Sequence, residues 1–112
     1  MKIYHNTRCT TSCKTLELLK SKGLNPEIID YLKNPPTLDE LKDLIKKLGI
    51  PPENLVRKKE KIFIENYSNN SFSDDEWLEL LAQNPKLIQR PIVVNGNRAI
   101  IGRPPENVIK LL

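Results

Sequence analysis

One cysteine stands at the point where a predicted strand gives way to a predicted helix. Cys9 lies between a short apolar stretch at residues 2–4 and a helical pattern at about residues 11–22. The first N–H groups of a helix have no partner within the helix, and together with the helix dipole they favour an anion. A free cysteine, with a pKa of about 8.5, is only about 3% thiolate at pH 7. The position of Cys9 predicts a lowered pKa, and therefore a reactive thiolate beside an anion site.

The residues that follow Cys9 narrow its chemistry. Residues 9–12 have the spacing C-x-x-S rather than C-x-x-C, while Cys13 adds a second thiol in the spacing C-x-x-x-C. The residue six positions after Cys9 is Thr15, so the C-x5-R loop of cysteine phosphatases is absent. An oxyanion bound beside Cys9 would need arginines from elsewhere in the chain.

Length and composition are those of one modest domain. The chain has 112 residues and a formal net charge of +4. It shows no apolar run long enough to span a bilayer and no signal-peptide pattern, so we expect a cytosolic protein. In that compartment two cysteines indicate catalysis or redox chemistry more than a structural disulfide. With a single histidine they are too few for a zinc site, so no metal is expected.

The excess of basic over acidic residues does not predict nucleic-acid binding. Acidic residues accompany the lysines throughout, and no aromatic platform is interleaved with them. We interpret most of the charge as a solvated surface.

The first third of the chain predicts a βαβ unit. A strand begins at Ile3, and the following helix ends at Gly23, a residue that adopts the left-handed conformation at little cost. An extended run then covers residues 27–32. Strand, helix and strand within about thirty residues form a right-handed crossover between parallel strands.

The middle of the chain, residues 33–87, predicts a helical insertion. Thr37 and Glu40 form one capping box, and Ser73 and Glu76 form another. Phe72 and Trp77 are placed as the hydrophobic staple of the second helix, and we expect both in the core. Residues 53–68 are ambiguous between strand and helix, and we favour a short helix there.

The last third predicts two strands and a helix. Asn95 and Gly96 separate two apolar runs, which is a strong hairpin signal. Residues 102–106 then open a final helix. The order β-α-β, helical block, β-β-α predicts an α/β protein with a mixed four-stranded sheet, a thioredoxin-like plan over residues 1–112 as one domain.

Arginine is scarce relative to lysine, and planar, bidentate recognition of an oxyanion favours arginine. Arg90 precedes Pro91 and the third strand, and Arg103 follows Gly102 after the fourth. On a thioredoxin-like plan these strand ends approach the Cys9 loop. Taken singly and without a family resemblance, each arginine is better interpreted as a surface residue.

Four segments, in order along essentially the whole chain, resemble the glutaredoxin-coupled arsenate reductase family. Residues 5–12 resemble its opening H-N-P-x-C-x-x-S, and residues 55–58 its L-x-R-K segment. Residues 90–94 resemble its R-P-I-V-V strand, and residues 101–106 its closing G-R-P-x-E. Two departures are Thr7 in place of proline and Cys13 in place of a common arginine.

The resemblance implies a thioredoxin-like fold with a helical insertion. It also implies a reaction mechanism. A Cys9 thiolate attacks arsenate and expels water, and glutathione with glutaredoxin, or another thiol reductant, supplies electrons so that arsenite leaves. No bound cofactor is implied. The implied catalytic residues are Cys9 and His5, and His5 lowers the pKa of the Cys9 thiol. The implied oxyanion-binding residues are Arg57, Arg90 and Arg103. The implied loop-shaping residues are Asn6, Ser12 and Pro91, and the bond between Arg90 and Pro91 is expected to be cis.

Cys13 has two interpretations. As a resolving thiol it would form a disulfide with Cys9, since residues four apart share a helix face. As a packing residue it would be a small buried hydrophobe on the inner face of the helix, which we favour slightly.

Two other functions compete with arsenate reduction. One is a redox-sensing transcriptional regulator of the Spx-like kind, against which Ser12 and the three arginines argue. The other is a general thiol–disulfide oxidoreductase, for which an anion site has no use. We expect a monomer whose partners are a small oxyanion and a glutaredoxin- or thioredoxin-type reductant, without nucleic acid or membrane.

Overall fold

The computed structural model describes all residues 1–112 and contains a four-stranded mixed sheet, as predicted. The strands are β1 (Lys2–His5), β2 (Glu27–Asp30), β3 (Ile92–Asn95) and β4 (Arg98–Ile101), in the order β2-β1-β3-β4. β1 pairs in parallel with β2 and antiparallel with β3, which pairs antiparallel with β4. β2 is shorter than the predicted run, because the chain turns at residues 31–33.

The α-helices are α1 (Thr10–Ser21), α2 (Leu38–Leu48), α3 (Lys61–Asn66) and α4 (Asp74–Gln83). Short 3-10 helices cover Pro52–Leu55, Pro85–Leu87 and Pro105–Leu111. None of the helices is long and apolar enough to cross a membrane. The chain separates into two compact units, one of residues 1–34 with 90–112 and the other of residues 35–89.

The first unit holds the sheet, α1 and the C-terminal 3-10 helix. Its core brings α1 and the C-terminal segment onto the same sheet face, because apolar residues of each meet there: Ile3, Leu19, Val93, Val108 and Leu111. Each is at most 6% exposed. This packing holds the N-terminal end of α1 at the carboxyl end of β1, where Cys9 lies.

The second unit is helical, and both predicted capping boxes are confirmed. Thr37 and Ser73 each accept from the third residue of their helix, whose glutamate accepts in return from the cap N–H. The predicted staple is also confirmed, since the Phe72 and Trp77 rings lie 4.7 Å apart and Trp77 is 5% exposed. The favoured helix within residues 53–68 is confirmed as α3.

Two local predictions were wrong in detail. The hairpin turn is Gly96–Asn97, one residue later than predicted, because Asn95 pairs with Arg98 and Gly96 takes the left-handed φ of +63°. The last helix is a 3-10 helix, with Asn107 N–H donating to the Pro104 carbonyl at 3.0 Å. A run of seven residues is long for this form, since 3-10 helices rarely exceed about four residues.

Candidate active site

Cys9 is the N-cap residue of α1 and has extended backbone angles, φ −95° and ψ 118°. Its N–H donates to the Asn6 carbonyl at 3.0 Å, and the Arg8 N–H donates to Asn6 Oδ1 at 2.9 Å. Asn6 therefore closes the loop that carries the thiol. The cysteine is 9% exposed, so it is largely enclosed by the surrounding chain.

His5 and Ser12 form a buried pair behind this loop. His5 Nδ1 lies 2.5 Å from Ser12 Oγ, which also accepts from the Asn6 N–H at 3.1 Å. Burial lowers the His5 pKa, and Lys20 lowers it further, while the charge of Asp30 on the paired strand opposes the shift. His5 is therefore neutral at pH 7.

The electrostatic surroundings of Cys9 favour the thiolate. Burial alone would raise its pKa, but the Arg90 side chain, the Ser12 backbone amide and the positive charge of Arg103 together lower the Cys9 pKa below its ordinary value. Arg103 Nη2 lies 3.6 Å from Cys9 Sγ. The sulfur thus stands among donors that stabilise negative charge.

Arg90 and Arg103 reach Cys9 from the two ends of the β3–β4 hairpin. Arg103 Nε donates to the Arg90 carbonyl at 3.4 Å, which ties the two segments together. Burial would lower the Arg90 pKa, but interactions of the guanidinium with Cys9 and with the Tyr31 phenol raise it. The predicted cis Arg90–Pro91 bond is confirmed, and a second cis bond, Arg103–Pro104, was not predicted.

Gly102 sets how closely the Arg103 segment approaches α1. Its N–H donates to the Pro91 carbonyl at 2.9 Å, and its carbonyl accepts from Thr15 Oγ1 at 3.0 Å. A Cβ at this position would lie 2.8 Å from Thr15 Cγ2 and 3.1 Å from Pro91 Cγ. Only glycine therefore lets the chain pass here without displacement.

Cys13 lies one helical turn after Cys9 and is partly exposed. Its N–H donates to the Cys9 carbonyl at 3.0 Å, and its thiol donates to the Thr7 carbonyl at 3.4 Å. The favoured interpretation of Cys13 as a buried hydrophobe was wrong, because its side chain is turned to the Thr7 loop rather than enclosed by the core. Both cysteines are free thiols.

Arg57, the remaining predicted arginine, belongs to the second unit. Its Nη1 lies 2.5 Å from Glu60 Oε1, and its N–H donates to the Leu87 carbonyl at 2.7 Å. The first unit thus brings together Cys9, His5, Ser12, Asn6, Pro91, Arg90 and Arg103, while Arg57 has a carboxylate partner within its own unit.

Sequence reasoning missed Tyr31, which is 1% exposed and interacts with Arg90. The predicted strand ran through Tyr31, so nothing marked it as the residue at which the chain leaves the sheet. Parallel pairing of the first two strands could have placed Asp30 beside His5. No group of three or more His, Cys, Asp and Glu side chains lies close enough together to hold a metal ion.

Comparison with known proteins agrees with this geometry. YfgD, an uncharacterized protein of Escherichia coli K12, is 44% identical over 114 residues, covering 100% of this chain and 96% of its own length. The arsenate reductase of the same strain is 42% identical and covers 98% of this chain and 79% of itself. The structure of arsenate reductase from Vibrio cholerae superposes with a TM-score of 0.94 at 42% identity, covering 99% of this chain and 96% of that one.

The model of the ArsC family matches residues 4–111. The match includes the Cys9 loop, both strands that pair with β1, and the Arg103 segment. The chain therefore belongs to the ArsC family.

Proposed function

We propose that the protein is a thiol-dependent arsenate reductase in which Cys9 is the nucleophile. The observation that carries the proposal is the placement of two guanidinium groups, those of Arg90 and Arg103, on one thiol at a helix N-terminus. Relatives named arsenate reductase at about 40% identity over nearly the whole chain support the choice of arsenate among oxyanions.

The local charge favours an anionic substrate. A thiolate carries one negative charge, and the two guanidinium groups carry two positive charges, so the site keeps a net positive charge when Cys9 is ionised. Arg103 is exposed, and its fork of donors can turn from the sulfur to an incoming oxyanion. A net positive charge that remains after Cys9 ionises suits the binding of an anionic substrate.

The reaction begins with attack of the Cys9 sulfur on arsenic. A sulfur–arsenic bond forms, one oxygen of arsenate leaves as water, and arsenic remains in the +5 state. Two thiols of glutathione, or of a glutaredoxin-type reductant, then supply two electrons. Those thiols become a disulfide, the sulfur–arsenic bond breaks, Cys9 regains its proton and arsenite leaves.

The other residues of the first unit position the nucleophile. Neutral His5 contacts Ser12 Oγ, and the Ser12 backbone amide favours the thiolate, so His5 acts on Cys9 through Ser12. Asn6 shapes the loop through the hydrogen bonds that it accepts from the Cys9 and Arg8 N–H groups. We assign Arg57 a further share in oxyanion binding on the sequence resemblance alone.

A steady-state assay with arsenate, glutathione and glutaredoxin tests this function. We expect arsenite from the wild type, none from Cys9→Ser, and inhibition by phosphate, which has the same shape and charge but is not reduced. Arg98→Ala is the matched control, because Arg98 lies in the same unit and donates to the Lys110 carbonyl instead. Absence of arsenite from wild-type protein whose Cys9 is readily alkylated would exclude the function.

A further inference from the structure

We propose that Cys13 is the resolving thiol, so that the protein releases arsenite in one turnover without an external thiol. This inference rests on the proposed arsenate reduction and assigns to Cys13 the breaking of the sulfur–arsenic bond, in place of an external thiol. External reductant would then be needed only afterwards, to reopen a Cys9–Cys13 disulfide.

The backbone places the two cysteines within disulfide reach. The hydrogen bond of 3.0 Å from the Cys13 N–H to the Cys9 carbonyl puts them one α-helical turn apart. A rise of 1.5 Å per residue sets the Cα atoms about 6 Å apart. Bridged cysteines have Cα separations of about 4.4–6.8 Å. Because Cys9 is the N-cap residue, α1 holds only its carbonyl, and its N–H bonds to the Asn6 carbonyl outside the helix.

The Cys13 side chain is on the active-site side of the helix. Its thiol donates to the carbonyl of Thr7, which belongs to the loop that carries Cys9. It is partly exposed and is not a member of the apolar cluster that packs α1 on the sheet. A thiol is a weak donor, so the bond to Thr7 costs little to break when the side chain rotates.

The two thiols are in contrasting environments, which separates their roles. Arg90 and Arg103 surround Cys9, which suits it to attack the oxyanion first. Cys13 Sγ has a neutral backbone carbonyl, that of Thr7, as its partner. The geometry thus supplies one nucleophile beside two guanidinium groups and, one turn later, a second thiol with a neutral partner.

The resolving step needs no reactant besides the adduct and the Cys13 thiol. The Cys13 sulfur attacks the Cys9 sulfur of the thiol–arsenate adduct, the disulfide bond forms, and the sulfur–arsenic bond breaks. The electron pair of that bond goes to arsenic, which falls from +5 to +3, and the Cys13 proton goes to an arsenite oxygen. Both cysteines are oxidised together by two electrons, which a dithiol reductant later restores.

A single-turnover experiment tests the step. Reduced wild-type protein is freed of all small thiols and mixed with excess arsenate, and arsenite and free thiols are then counted. We expect about one arsenite per chain, the loss of both thiols, and a Cys9–Cys13 disulfide by mass spectrometry. Cys13→Ser should release less than about a tenth of that arsenite, because it lacks the advantage of an intramolecular thiol.

The outcomes separate this step from the function on which it rests. Wild type that makes no arsenite alone but does so with glutathione and glutaredoxin would overturn the resolving role and leave arsenate reduction intact. Wild type that makes none in either condition would remove both. Serine keeps a donor for the Thr7 carbonyl, and the wild-type thiol count decides the question even if Cys13→Ser folds poorly.

Discussion

The surroundings of Arg90 and Arg103 in the first unit contrast with those of Arg57 in the second. Arg103 Nη2 lies 3.6 Å from the Cys9 sulfur, whereas Arg57 Nη1 lies 2.5 Å from a Glu60 carboxylate oxygen. A thiolate gives up its charge when it bonds to a substrate, but a carboxylate keeps it. Arg90 and Arg103 can therefore turn their N–H donors from the Cys9 sulfur to an oxyanion during the reaction. Arg57 must share its charge with Glu60 throughout.

The largest expected effect on activity is that of replacing Arg90 or Arg103. Arg90→Ala and Arg103→Ala should each lower kcat/KM for arsenate by about 10²–10³-fold, as for loss of a donor to developing negative charge. For Arg103→Ala, thermal stability should change much less, because that side chain is exposed. Steady-state kinetics and melting curves measure the two effects, with Arg98→Ala as the control. Equal losses of stability and oxyanion binding would mean a structural role.

A second change disturbs the position of Arg103 without altering its charge. Gly102→Ala should cost about 1–3 kcal/mol of stability, as overpacking does, because the added methyl meets Thr15 Cγ2 at 2.8 Å. Combining it with Thr15→Ser removes that methyl group and keeps the hydroxyl, so part of the stability should return. Urea unfolding of the single and double variants measures this. If the double variant recovers no stability, contact with the Thr15 methyl group is not the cause of the loss in Gly102→Ala.

A smaller effect is expected at Arg57. Arg57→Ala should lower kcat/KM by about tenfold, near the lower end for a charge-assisted hydrogen bond. Glu60→Gln should improve oxyanion binding, because it releases Arg57 from its carboxylate. Inhibition constants for phosphate test both variants. If both leave phosphate inhibition unchanged, Arg57 is a structural partner of Glu60 and its proposed role is lost.

The smallest effect is a pH dependence that arises at His5. Its folded pKa is below the unfolded value of about 6.5, so the unfolded state binds more protons below that pH. Stability from neutral His5 is therefore present above pH 6.5 and falls as the pH drops below it. His5→Gln should show a shallower loss of melting temperature between about pH 7 and 5. If the curves of melting temperature against pH are parallel for wild type and His5→Gln, His5 is not the origin of this pH dependence.

The sequence predicted what depends on local pattern. Capping boxes, the staple and the strand–helix order follow from residue types a few positions apart, and the cis Arg90–Pro91 bond followed from the family resemblance. The end of β2, the 3-10 form of the last helix and the one-residue shift of the hairpin turn depend on which backbone groups pair with each other, and not on residue type alone. Local propensity does not determine these features.

The residues of the candidate site also divide into those that local sequence predicted and those that it did not. Cys9 was predicted from its place at a helix start, and Arg90 and Arg103 from motifs at strand ends. The contact of Tyr31 with Arg90 arises where two segments far apart in sequence meet, so no local signal marked it. The exposure of Cys13 depends on which way a short polar loop turns, and that direction was not encoded in helical spacing.

The central claim is that Cys9 is a thiolate held by arginine. The most direct measurement is the rate of Cys9 alkylation by iodoacetamide as a function of pH in the Cys13→Ser background. We expect a midpoint below that of a free cysteine, and a midpoint that rises when Arg103→Gln is added. A midpoint in Cys13→Ser at or above the free-cysteine value, unchanged by Arg103→Gln, would contradict this.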